Sequence, residues 1–220
     1  MIGLVLAAGG AGTRFGSPIP KQFLPLDDRP LYQASLLRFA PLVDEVAVAV
    51  PADWVERVEG QLRQLRLPCP AHAVAGGRQR QDSVYQGLLS LGDAVTRVLV
   101  HDAARPYIST ALISAAIEAV RRHRACVPGL AVSETVKEVE GDWVERTLDR
   151  SRLRLIQTPQ GFERALLKTA LETAIKDGFQ GTDEATLVER LGVRVRVIDG
   201  EPGNIKVTWR EQWSPEAPAV

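Results

Sequence analysis

Two kinds of apolar pattern alternate along this chain. Glu45-Val46-Ala47-Val48-Ala49-Val50 and Arg97-Val98-Leu99-Val100-His101 are near-continuous apolar runs. Such runs mark strands covered on both faces. Short runs of this kind predict strands at Ile2–Ala8, Glu45–Val50, Ala71–Ala75, Arg97–His101, Ala125–Ala131 and Val193–Ile198. Between them, helical patterns predict helices at Leu31–Phe39, Trp54–Leu65, Ser83–Leu91, Thr110–Arg124, Glu163–Asp177 and Glu184–Leu191. Alternation of this kind predicts an α/β fold, a mostly parallel, Rossmann-like twisted sheet with helices on both faces. Ligands of such sheets bind beyond the carboxyl ends of the strands. The distinctive residues of this chain fall at those ends.

One stretch breaks the alternation. Val132–Glu140, the turn Gly141-Asp142 and Trp143–Leu148 read as two strands joined tightly. They carry mixed charge and make poor core, so a β-hairpin arm at about residues 130–150 is expected to project from a single domain spanning 1–220. Two strands are rarely stable alone. Packing against a second copy would supply the missing burial, so a homodimer through the arm is expected. The Pro- and Ala-rich tail from Ser214 is expected to fray.

Composition narrows the partners. The 27 basic and 27 acidic side chains balance, so no global field draws the chain to nucleic acid or to an anionic membrane. An anion site must be local. Cys69 and Cys126 are far apart and lack metal-ligand spacing, as suits inert thiols in a reducing cytoplasm. The first eight residues lack a basic leader and are too short to span a bilayer.

The candidate chemistry starts where the first strand ends. Ala7-Ala8-Gly9-Gly10-Ala11-Gly12-Thr13-Arg14-Phe15-Gly16 opens a run of small residues and is followed by Pro20-Lys21-Gln22. Exposed backbone N–H groups in such a loop cradle phosphates, and Arg14 and Lys21 add fixed charge. A Walker A loop would need Lys followed by Ser or Thr after the glycines. A dinucleotide fingerprint would need a third glycine where Phe15 stands, and an acidic residue where the second strand ends in Val50-Pro51. Both fail on spacing. A nucleotidyltransferase type of loop remains, beside the plainer alternative of a glycine-rich turn with two solvated cations.

Further strings accompany it: Gly76-Gly77-Arg78-x-Arg80-x-Asp82-Ser83-Val84, His101-Asp102-Ala103-Ala104-Arg105-Pro106, Asp149-Arg150, Gln157-Thr158-Pro159-Gln160, Thr182-Asp183-Glu184-Ala185 and Asn204-Ile205-Lys206-Val207-Thr208. Together with the loop they span nearly the whole chain to Thr208. In these strings the chain resembles the 2-C-methyl-D-erythritol 4-phosphate cytidylyltransferases of the non-mevalonate isoprenoid pathway. The resemblance implies the nucleotide-diphospho-sugar transferase type of fold. It also implies transfer of a cytidylyl group from CTP to the sugar-alcohol phosphate, with release of pyrophosphate.

By that resemblance Arg14 and Lys21 neutralise the triphosphate and stabilise the transition state, while Arg150 and Lys206 position the acceptor phosphate. Ala7, Ala8, Gly9, Gly10, Gly12, Thr13, Gly77, Asp82, Ser83, Asp102, Ala103 and Arg105 would hold the nucleotide, with Asp102 on Mg²⁺. Thr135, Thr158, Thr182 and Asp183 would add contacts to the acceptor. Several of these have plainer readings. Asp82 is a good N-cap for a helix beginning there; Asp102 and Arg105 would pair to brace their turn; Arg150 has Arg146, Arg152 and Arg154 as solvated neighbours. Arg78 and the short tail depart from the family pattern. A cytidylyltransferase acting on D-ribitol 5-phosphate is the nearest alternative, sharing Arg14, Lys21, Asp102 and Lys206. A silent nucleotide-binding protein would be expected to lack some of these cations, and a UTP- or GTP-dependent pyrophosphorylase would share only the first loop.

Overall fold

The computed structural model describes residues 1–10, 19–26 and 28–208. In chain order the strands are β1 (Ile2–Ala7), β2 (Pro25–Leu26), β3 (Arg29–Pro30), β4 (Glu45–Val50), β5 (Ala71–Ala75), β6 (Arg97–Asp102), β7 (Ala125–Ala131), β8 (Lys137–Glu140), β9 (Trp143–Thr147), β10 (Arg154–Ile156), β11 (Gln160–Glu163) and β12 (Arg196–Asp199). The helices are α1 (Leu31–Phe39), α2 (Val55–Gln64), α3 (Arg80–Ser90), α4 (Thr110–Arg122), α5 (Arg164–Lys176) and α6 (Glu184–Arg190).

The described residues build one eight-stranded sheet in which β5, β4, β1 and β6 run parallel. β11 lies antiparallel between β6 and β7, so β7 runs the same way as β6. β10 continues the antiparallel line along β7, and β12 pairs in parallel with the other edge of β7. The expected parallel sheet is therefore present, with a short antiparallel insert that the apolar pattern does not announce. β10 has three residues and β11 four, too short to carry a period. The last strand also sits later than expected, at Arg196–Asp199 instead of Val193–Ile198.

Side-chain alternation divides the core. Leu4 and Leu6 of β1, with Val46, Val48 and Leu99, pack beneath α1, α2 and α4. Val5, Ala47, Val98 and Val100 face α3, α5 and α6. Both faces of each central strand are thus buried, as the continuous runs require. Ser109 caps α4 by accepting from the Leu112 N–H at 3.0 Å, and Asp183 caps α6 through Thr186 N–H at 2.9 Å.

The arm forms as β8 and β9, a smaller hairpin than expected because pairing begins at Lys137. Gly141 makes its turn at φ +57°, a conformation that favours glycine. Every residue of both arm strands is exposed in one copy, including Trp143 at 80%.

Candidate active site

The register of the central strands assembles the site. Ala7 of β1 stands beside Asp102 of β6 and Ala49 of β4. Ladder bonds continue past the strand ends, from Ala8 N–H to Ala49 O (2.8 Å), Ala103 N–H to Ala7 O (3.1 Å) and Gly76 N–H to Val50 O (2.7 Å). Ala7-Ala8-Gly9, Ala103 and Gly76-Gly77 therefore line one rim at the carboxyl ends of the parallel strands. Close packing by the first turn of α3 explains the glycines. A Cβ on Gly9 or Gly76 would stand 2.8 or 2.6 Å from Ser83 Oγ, and one on Gly77 only 2.2 Å from Asp82 Cβ.

The same packing occupies two expected nucleotide ligands. Ser83 is buried; its hydroxyl accepts from Gly77 N–H (3.2 Å) and donates to Gln79 O (3.0 Å), tying the second glycine pair to the helix. Asp82 is not the N-cap. Gln79 takes that place, and Asp82 sits at the third helical position, accepting from Gln79 N–H at 3.1 Å in a capping box.

Asp102 is the electrostatic centre. Its Oδ1 accepts from Arg80 Nε at 3.0 Å and its Oδ2 pairs with Lys206 Nζ at 2.7 Å. Burial alone would raise its pKa, but the charges of Arg80, Lys206 and Arg105 outweigh burial and hold the carboxyl well below its usual range. Arg80 reaches on to the buried Glu184 at 2.5 Å. The expected Asp102–Arg105 side-chain brace is replaced by these contacts. Arg105 donates its own N–H to Asp102 O at 3.0 Å and its guanidinium to Asn204 O at 2.7 Å.

A cation remote in sequence reaches the segment that carries Lys206. Lys21 donates to Val207 O at 2.5 Å, one residue beyond Lys206. Gln22 ties its own turn to the residues that follow β1, donating to Ala8 O (2.5 Å) and Gly10 O (2.9 Å). Phe23 stacks on Trp54 with ring centroids 3.9 Å apart, anchoring the turn that carries Lys21.

A buried polar layer supports this arrangement. His101 Nε2 faces Arg105 O at 3.2 Å and so carries the ring proton, leaving Nδ1 to accept from Thr158 Oγ1 at 3.0 Å. Burial pushes the His101 pKa down to about 3, and the imidazole stays neutral. Thr158 Oγ1 also accepts from Asp102 N–H (3.2 Å), so this expected acceptor contact is engaged within the protein. Asn204 donates to Thr158 O (2.8 Å), and Gln157 donates to Glu201 O (2.8 Å).

The remaining expected residues are less concentrated. Thr182 is exposed, within 3.2 Å of the Thr186 hydroxyl, and Asp183 is committed to capping α6 and to Gln160. Thr135 is exposed near the base of the arm, and Arg150 holds Ser133 O there. Among the described residues no contact joins either to the Asp102 cluster. Gly12, Thr13 and Arg14 lie outside the described residues. Conversely, Arg80, Glu184, Gln22 and Asn204 are placed at the site although no role was assigned to them from sequence. Each stands inside or beside a motif string, the one signal available.

A family model, that of 2-C-methyl-D-erythritol 4-phosphate cytidylyltransferase, matches residues 2–215. The chain belongs to this family. A cytidylyltransferase of that name from Acidobacterium capsulatum is 42% identical over 217 residues, covering 93% of this chain and 91% of its own. The bifunctional enzyme IspD/IspF of Nitratidesulfovibrio vulgaris is 43% identical over 218 residues, covering 94% of this chain but 55% of its own, so the chain spans about half the length of that relative. The crystal structure of 4-diphosphocytidyl-2C-methyl-D-erythritol synthase from Anaerococcus prevotii superposes with a TM-score of 0.84 at 27% identity, covering 97% of this chain and 94% of that one. Family membership accounts for the motif strings of this chain.

The described residues hold no group of three or more His, Cys, Asp or Glu side chains suited to caging a metal. Asp102 nonetheless fits a cation that arrives on a polyphosphate. Mg²⁺ is commonly held by one or two carboxylates, with phosphate oxygens and water completing its shell. Oδ2 faces a Lys206 side chain that is 45% exposed, so this side of the carboxylate borders solvent.

Proposed function

We propose that this protein transfers the cytidylyl group of CTP to 2-C-methyl-D-erythritol 4-phosphate, releasing pyrophosphate, in isoprenoid precursor biosynthesis. One observation carries the reading: Lys21 binds the carbonyl of Val207, the residue after Lys206, and Lys206 itself pairs with Asp102 at the carboxyl end of β6. Relatives named for this reaction support the methylerythritol acceptor over ribitol phosphate.

A phosphate oxygen of the acceptor attacks the α-phosphorus of CTP. The bond from that phosphorus to the bridging oxygen breaks, and the electron pair leaves on pyrophosphate. The acceptor is a dianion near neutral pH and needs no base, which agrees with a buried, neutral His101. Charge builds on the phosphoryl oxygens, so catalysis rests on positioned cations. Lys21, with Arg14, neutralises the triphosphate; Lys206 holds the acceptor, with Arg150 completing the acceptor site across the dimer. The backbone of Ala7–Gly10 and Gly76-Gly77 forms the nucleotide rim. Mg²⁺, held by Asp102, would neutralise phosphate oxygens.

A homodimer through the arm completes the proposal. Trp143, Val139 and Val144 are exposed on it, a surface suited to burial against a second copy. Both cysteines are unpaired, and burial pushes the Cys126 thiol up to about 11, which supports a cytoplasmic setting with inert thiols. No described helix is long and apolar enough to cross a membrane.

The test is pyrophosphate release from CTP and Mg²⁺ with either acceptor. Turnover with the methylerythritol phosphate and none with D-ribitol 5-phosphate is expected; the reverse would overturn the substrate.

A further inference from the structure

Arg80 sits where helix physics disfavours it. It is the first residue of α3, and the positive end of a helix dipole favours an acidic side chain there. Its guanidinium bridges two carboxylates, Asp102 at 3.0 Å and Glu184 at 2.5 Å. Glu184 is 1% exposed, and its second oxygen, Oε2, has no hydrogen-bond partner among the described residues. A buried ion pair of this kind is weak support for stability, since apolar side chains of similar volume often serve as well. The α6 helix does not need Glu184 for its start, because Asp183 caps it. A buried carboxylate with one oxygen left unpaired beside a helix–sheet core calls for another reason.

That reason is visible at the other end of the chain of charges. It runs Glu184–Arg80–Asp102–Lys206, from full burial to a half-exposed ammonium. In the structure Lys206 is held by Asp102, yet its work on a substrate phosphate requires it to turn outward. Once Lys206 leaves, the side-chain partner that remains on Asp102 among the described residues is Arg80, itself held from behind by Glu184. We infer that Arg80, backed by Glu184, is a positioning residue for the transfer: it holds the Asp102 carboxylate in place so that Lys206 can pass from Asp102 to an incoming phosphate. The inference rests on the proposed reaction.

The experiment is a double-mutant cycle on the full chain, Arg80→Lys and Lys206→Gln singly and together. A lysine keeps the charge but cannot bridge both carboxylates in the same geometry. Arg80→Lys is expected to lower kcat/KM for the acceptor by about 10–100-fold, as loss of an orienting partner typically does, with its melting temperature within a few degrees of wild type. The double variant should be little worse than Lys206→Gln alone, because both changes act on one element. Losses that multiply would overturn the inference. So would wild-type kinetics in Arg80→Lys, or activity that falls only as the folded fraction falls. Should Arg80→Lys not fold, Glu184→Gln replaces it, with the same non-additivity expected. Absence of wild-type turnover with CTP and the methylerythritol phosphate would defeat the proposed reaction instead. The cycle is then read from inorganic pyrophosphate affinity by calorimetry, where additive losses would still overturn the inference.

Discussion

Lys21 and His101 show how differently a single residue serves here. Lys21 is held near the site by its bond to Val207 O and by the Phe23–Trp54 stack behind it. Lys21→Ala should therefore remove a preorganised cation and leave the fold intact. A fall of about 10²–10³ in kcat, with an unchanged melting temperature, is expected; near-normal turnover would contradict its role. His101 carries no charge to the reaction but ties stability to pH. Its folded pKa of about 3 lies below the usual value, so the unfolded chain binds the extra proton as pH drops through about 6.5. Stability is full above that value and falls below it. Between pH 7 and 5.5 the loss should be about 1 kcal/mol, and His101→Gln should flatten that part of the denaturation profile. Residue type and motif singled out the glycines, Lys21 and Asp102 as candidates. The partners of Asp102 were not legible, because Arg80 and Lys206 lie 22 residues before it and 104 after it, and no spacing links them.

Elements divide into those that announce themselves and those set by their neighbours. The strands β1, β4, β5, β6 and β7 match their apolar runs within a residue; in β1, β4 and β6 burial on both faces demands apolar side chains nearly throughout, while β5 is only half-buried. β10 and β11 were missed, since they are formed by their partners in the sheet more than by their own composition. Gln160 shows what holds the insert: buried at 1% exposure, it donates to Asp183 and accepts from Ala185 N–H, joining β11 to the start of α6. Gln160→Ala should cost about 1–3 kcal/mol by leaving those groups unpaired, measured by chemical denaturation. The arm was legible because its polar, turn-centred pattern cannot be core. Replacing Trp143 and Val144 by Ser should leave the domain folded, as both are exposed in one copy. In the proposed dimer the same change should shift the molecule to monomer by sedimentation; an unchanged assembly would move the interface elsewhere.

At the scale of the molecule, charge balance leaves no long-range field, and the cations act only where the fold gathers them. Chelation of divalent cations should accordingly abolish pyrophosphate release while leaving the melting temperature unchanged, because no described cluster uses a metal as a structural tie. Local sequence determined the α/β class, the two-faced sheet, the projecting hairpin and the glycine-rich rim, since each follows from side-chain periodicity or from turn chemistry over a few neighbouring residues. Tertiary structure alone decided the antiparallel insert, the use of Ser83 and Thr158 as internal braces, and the chain of charges from Glu184 to Lys206. Those depend on distances between residues far apart in the chain, which the strand register and helix packing set and which local periodicity does not encode.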